Sequence, residues 1–227
     1  MTGATKPAAA KTNKLRAQAL AGDRAAAALV SVDLSARCKL LGLAEPDADG
    51  AVRLTMLGRE LRLGPPRFDA TIDDAPAAPA DRILALHYLL GERPVEPAGR
   101  LISFRDLPGG QFYYGPFHAR SGIRLAGRVG NDLPALKRML ARVPHRRVAG
   151  GDLAAEVPVV ERVALTLVYY AGDDELPPSA EILFDESIRR AYCTEDAAAL
   201  AARLCVALIG PCETCHACGM CEKKAQS

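Results

Sequence analysis

The segment from Val159 to Tyr170 is the longest β-type run in the chain, and it constrains the fold more than any other stretch. Its apolar residues fall on both alternating faces, with Val163, Leu165, Leu167 and Tyr169 on one and Ala164, Val168 and Tyr170 on the other. A strand that is apolar on both faces must be covered on both, so the run reads as a central strand. The flanking segments do not repeat a strand–helix–strand rhythm. The fold class is therefore α+β, a mixed or antiparallel sheet packed with helices.

The other elements follow from period and punctuation. Val52, Leu54 and Met56 alternate with Arg53 and Thr55, and Arg59 to Leu63 alternates again after Gly58, which predicts a hairpin. Helices are expected over the Ala-rich stretch Leu15 to Val30, over Leu34 to Leu41 behind Asp33, and from an Asp81 cap through Leu90. Two more are expected over Leu133 to Val143, behind Asn131 or Asp132, and from about Glu195 to Ile209, with Leu200, Leu204 and Leu208 on one stripe. The Pro-rich stretch Gly64 to Ala80 reads as a loop, and Leu101 to Phe104 as a strand. The segment from Ala180 to Arg190 is ambiguous. Residues 1–14 read as a disordered leader, 15–210 as a single α+β domain, and 211–227 as an irregular Cys-rich metal-binding tail. A chain of 227 residues with 49% hydrophobic side chains can bury a core of that size.

Charge and hydropathy narrow the function classes. No apolar run approaches the roughly 20 residues of a membrane span, and no apolar stretch follows Lys6, Lys11 and Lys14, so a cytoplasmic protein without a secretory signal is expected. A net charge of +2 argues against a dedicated nucleic-acid binder. The charge is unevenly spread. Arg120 to Arg147 holds eight Lys/Arg against Asp132, and Asp152 to Asp196 holds eleven acids against Arg162, Arg189 and Arg190. These read either as neighbouring solvated segments or as a basic docking face for an acidic partner or an anionic cofactor.

Seven cysteines are present, and Cys212, Cys215, Cys218 and Cys221 stand in the pattern C-x2-C-x2-C-x2-C. An odd, clustered set points away from a disulfide framework and toward metal. Ferredoxin-type [4Fe–4S] sites take three corners from C-x2-C-x2-C and the fourth from elsewhere. Cys212, Cys215 and Cys218 match those corners, and Cys221 or Cys205 can supply the fourth, with Cys193 and Cys38 behind them. Zinc is the alternative, although its C-x2-C pairs are normally separated by a dozen or more residues. His216 is a neighbour inside the run. Cys205, Cys38 and Cys193 read first as packed core thiols.

Several blocks also occur in a familiar order. They are Leu57-Gly58-Arg59-Glu60-Leu61, Ile83-Leu84-Ala85-Leu86-His87-Tyr88-Leu89, Leu101 through Gly110, Gly172 through Ala180, Ile182 through Ile188, and Thr194-Glu195-Asp196. Together they resemble the family catalogued as domain of unknown function 3786, proteins of anaerobic bacteria and archaea, over roughly residues 15–209. The resemblance implies no defined activity. Some members carry an iron–sulfur segment similar to that of corrinoid iron–sulfur proteins, which implies that a metal-bearing appendage is in keeping with the family. Here the cysteines lie at the C-terminus with different spacing, so no corrinoid or one-carbon reaction carries over.

Within the domain, Ser103 to Gly110 followed by Phe112, Tyr113 and Tyr114 is the strongest candidate for a pocket. Gly109 and Gly110 permit close backbone approach, Arg105 can clamp an anion, and Tyr113 offers a donor and a stacking face. Asp173, Asp174 and Glu175 read first as a solvated turn; the alternative is that their mutual repulsion raises the pKa of one of them, suiting it to proton transfer, or that they bind a cation. Asp185 reads as the cap of a following turn. His87 reads first as a core histidine, and His118 and His145 stand alone in basic stretches. The leading expectation is a [4Fe–4S] redox accessory protein that exchanges electrons with a partner enzyme through the Arg120–Arg147 face. The alternatives are an enzyme or ligand-binding domain with Arg105, Tyr113, Asp174 and Glu175 around a pocket between the 103–114 loop and the 173–185 region, and a zinc-stabilised interaction module.

Overall fold

The computed structural model describes residues 5–210, with side chains from Arg16 onward. Helix α1 spans Thr5–Leu29 and α2 spans Leu34–Leu41, where Asp33 accepts the Ala36 amide as its N-cap. The Ala-rich helix thus reaches ten residues further upstream than expected, into the stretch read as a disordered leader, in keeping with the helix preference of its alanines and lysines. Gly22, inside α1, stands where a Cβ would come within 2.7 Å of the Arg82 guanidinium. That guanidinium donates to the Phe68 and Arg67 carbonyls and pairs with Asp23.

Strands β1 (Val52–Met56) and β2 (Arg59–Gly64) form the expected hairpin, with Leu54 opposite Leu61 and Val52 opposite Leu63. Leu57 and Gly58 both hold positive φ at its turn, the geometry a two-residue hairpin needs. The stretch expected as a loop contains two more strands, β3 (Asp69–Ile72) and β4 (Ala75–Pro76). They are joined by Asp73 and Asp74, both at positive φ, a conformation aspartate tolerates. The proline content concealed the alternation of buried Ala70 and Ile72 with Asp69 and Thr71.

Helix α3 (Pro79–Leu90) leads to β5 (Leu101–Ile102), which is shorter than expected because a 3-10 turn takes over at Phe104–Asp106. Helices α4 (Gly110–Arg120), α5 (Gly122–Val129) and α6 (Leu133–Leu140) follow, the last capped by Asp132. The sheet resumes with β6 (Arg146–Val148), β7 (Leu153–Val160), β8 (Val163–Tyr170) and β9 (Ser179–Asp185). A short α7 (Ile188–Ala191) precedes α8 (Thr194–Ile209).

Among the described residues nine strands make one antiparallel sheet in the order β4-β3-β2-β1-β7-β8-β9-β5, with β6 paired to β7. The run Val159–Tyr170 is not one strand. Glu161 takes positive φ and turns the chain between β7 and β8, so the run supplies the end of one central strand and the whole of the next. The α+β class and the interior position of Val163 to Tyr169 agree with the sequence. Among the described residues no helix is long and apolar enough to cross a membrane.

Helix α8 packs against α3, α4, α5 and α6, and Leu200, Leu204 and Leu208 are fully buried along the expected stripe. It is tied to α3 by a charge. Asp81 does not cap α3: Ala78 holds the N-cap position, and Asp81 lies inside the first turn with 1% of its surface exposed. Arg203 of α8 donates through Nη2 to Asp81 Oδ2 at 2.7 Å, while Nε lies 2.5 Å from Oδ1 at an angle too poor for a hydrogen bond. Burial pushes the Asp81 carboxyl up and Arg203 opposes that shift. Removing one member of such a pair strands the other charge in the core. Arg203→Met is therefore expected to lower unfolding free energy by about 3 kcal/mol, and Asp81→Leu in the same chain to recover most of the loss; urea denaturation of both variants measures this.

Candidate functional site

The second tie between α3 and α8 joins a histidine to a carboxylate. His87, in the last turn of α3, places Nδ1 2.9 Å from Oδ2 of Asp196 in the first turn of α8. Cys193, at the N-cap position of α8, donates its Sγ–H to the same oxygen at 3.3 Å. These groups open on a shallow groove of about 620 Å³ that Glu92, Arg93 and Arg190 also line. The hydrogen bond with Asp196 holds the His87 pKa above its ordinary 6.5 against the opposing effect of burial. Burial, and then the Asp196 charge, push the Cys193 thiol above its ordinary 9.0, so it is a protonated donor at neutral pH rather than a thiolate.

On the other side of the first turn of α8 lies a more enclosed cavity of about 410 Å³. Ala198, Ala199 and Ala202 of α8 form one wall, and Phe104 and Phe117, stacked 3.9 Å apart and nearly parallel, form another. Tyr113, 68% exposed, and Arg120 line it from α4. Of the two glycines only Gly110 permits a close approach, and to the chain itself: a Cβ there would sit 1.9 Å from the Phe104 carbonyl oxygen, whereas nothing lies within 4 Å of a Cβ at Gly109.

The sequence-predicted pocket residues are not brought together. Tyr113 lines this cavity, whereas Arg105 stacks its guanidinium 3.7 Å over the Tyr114 ring. Asp174 and Glu175 are exposed in the turn between β8 and β9, and no residue of 173–185 lines the cavity. The expectation of a raised pKa among these acids is reversed at Asp173. Its carboxylate accepts the Glu175 and Leu176 amides and is held below the ordinary range, because those bonds favour the charged form. Asp185 caps the following turn at Ser187, as expected, and also holds the Ala98 and Gly99 amides. His118 stacks on Tyr114, and His145 lies 3.1 Å from the Val143 carbonyl.

The residues Cys212, Cys215, Cys218 and Cys221 lie outside the described residues. Their point of departure does not: the Gly210 carbonyl, one residue beyond α8, accepts a hydrogen bond from Arg124 Nη2 at 2.9 Å. Cys38 and Cys205 are fully buried, and burial pushes the Cys205 thiol up to about 12. Among the described residues no three His, Cys, Asp or Glu side chains are placed to hold a metal ion.

A family model described as a domain of unknown function, DUF3786, matches residues 33–207. The chain belongs to that family. The DUF3786 match begins at the Asp33 cap, later than the resemblance at residue 15 suggested, and ends just before the last residues of α8. It includes both ties between α3 and α8 and leaves out α1 and the cysteine tail. No curated protein and no solved structure matches the chain.

The His87–Asp196 pair gives stability a pH signature. The folded-state pKa of His87 lies above its unfolded value, so its contribution is complete below about pH 6.5 and is lost as pH rises through the folded value. The destabilisation caused by His87→Gln is expected to be larger at about pH 6 than at about pH 9. Equal losses at both, measured by urea unfolding, would contradict the pairing.

Proposed function

We propose that the chain carries a [4Fe–4S] cluster on its C-terminal segment and exchanges electrons with a partner protein in a reducing, cytoplasmic setting. Cys212, Cys215 and Cys218 would hold three corners and Cys221 the fourth. Cys205 is the weaker choice for that corner, because a thiol with a pKa of about 12 and no exposed surface resists becoming a thiolate ligand. When bound, such a cluster supplies a one-electron relay.

The observation that carries the proposal is the contact between Arg124 and Gly210. It ties the root of the cysteine segment to the helix whose Arg124 and Arg128 belong to the basic stretch Arg120–Arg147. A thiolate-ligated cluster is an anion, and nearby guanidinium groups lower the cost of its charge. Of the cations in that stretch, Arg138 and Arg146 are paired with Asp132 and Glu156, whereas Arg120, Arg128, Lys137, Arg142 and Arg147 form no ion pair among the described residues. The unpaired cations give this stretch the charge to attract an acidic partner.

Protein purified without oxygen is expected to be brown and to contain iron and sulfide in equal amounts. Cys221→Ala should lower the bound iron sharply, and Cys205→Ala should leave it unchanged. Colourless anaerobic protein with stoichiometric zinc, or with no metal, would reject the cluster.

A further inference from the structure

We propose that the cavity between α4 and α8 is a binding site for a small flat organic molecule with one negative charge. This inference does not rest on the iron–sulfur reading, because the cavity lies at the N-terminal end of α8 and the cysteine segment leaves from the other end. Ala202, the last α8 residue to line the cavity, is eight residues short of Gly210, about 12 Å along the helix.

Three features define the ligand. The volume, about 410 Å³, is within the range of small-molecule sites and too small for a folded segment. Its walls are largely apolar: a helix face reduced to Ala198, Ala199 and Ala202 on one side and the stacked rings of Phe104 and Phe117 on another, with Gln18, Ser121 and Thr194 as neutral polar neighbours. Larger side chains at the alanines would have closed the space, as leucine does at Leu200 and Leu204 on the core side of the same helix. Tyr113 stands at the mouth with most of its ring in solvent, and its neighbour Phe112 is 90% exposed. Rings left in water at the rim of an apolar cavity are suited to stacking on a planar guest.

The polar groups set the charge. Arg120 lines the cavity without an ion-pair partner among the described residues, so its guanidinium is available to a carboxylate or sulfonate. Glu195 lines it too and forms no pair with Arg120, which disfavours a second negative charge and suits a guest that also carries an N–H or O–H donor. A planar aromatic acid with one donor meets these requirements.

The dye 1-anilinonaphthalene-8-sulfonate has that chemistry, and its neutral relative N-phenyl-1-naphthylamine lacks the acid. Titration of the full chain, followed by fluorescence and calorimetry, should give one saturable site for each. Arg120→Gln should weaken the sulfonate about tenfold, the size of one lost charge-assisted hydrogen bond, and leave the neutral dye nearly unchanged. Ala199→Phe, which fills the cavity, should abolish both. Tyr113→Ala changes an exposed side chain, leaves the fold intact and should weaken both several-fold. Absence of a saturable site, or binding indifferent to Ala199→Phe and Tyr113→Ala, overturns the proposal. Equal losses for both dyes in Arg120→Gln overturn its claim about charge.

Discussion

Two polar contacts, the Asp81–Arg203 ion pair and the His87–Asp196 hydrogen bond, clamp α3 to α8, and the placement of everything else near α8 depends on them. Asp81 and His87 are six residues apart on α3, and their partners Arg203 and Asp196 are seven apart on α8 in the reverse order. At 1.5 Å per residue these spacings are about 9 and about 10.5 Å, so two antiparallel helices can satisfy both contacts at once. The apolar core that holds Leu84, Leu89, Leu200 and Leu204 supplies area but little direction. A buried carboxylate and a guanidinium must meet or remain unsolvated, so a slip of one helical turn is penalised. The charges thus set the register that the leucines would leave loose.

With that register fixed, the first turn of α8 divides two environments. Cys193 and Asp196 face the groove with His87, while Glu195 and Ala198 face the cavity with Tyr113. At the far end, the same helix delivers Gly210 to Arg124. A single rigid element therefore separates the apolar cavity from the root of the cysteine segment. In the proposed function, the basic face around α5 neutralises the cluster and meets its redox partner, and the cavity remains free for a molecule of its own.

The sequence revealed most where one physical signal dominated. Alternation gave the β1–β2 hairpin, the leucine stripe gave α8, and the doubly apolar run gave the middle of the sheet. It misled where two signals competed. Glu161 and Arg162 sit inside an apolar run and were outweighed by it, although they form the turn between β7 and β8. Prolines 65, 66, 76 and 79 masked β3 and β4, the second of which holds Pro76 at the sheet edge, where a proline is tolerated. The candidate site fared worse, because contacts between distant segments have no local signature. Arg105, Tyr113, Asp174 and Glu175 looked compatible, but α4 turns Arg105 onto Tyr114 and the β8–β9 turn keeps the acids apart from the cavity. The missed clue was electrostatic: Asp81 and His87, like Asp196 and Arg203, are ionisable groups set into largely apolar helices, at nearly matching spacings and in opposite order.

The central claim, an anionic cluster held beside α5 at the end of α8, is tested most directly by amide NMR of the anaerobic protein before and after reduction by dithionite. One-electron reduction creates an unpaired spin that broadens nearby signals. The account predicts that broadening is concentrated at Gly210 and along α5 around Arg124 and Arg128, and is absent from the Tyr113 cavity. Spectra that do not change on reduction, or broadening centred elsewhere in the fold, would contradict it.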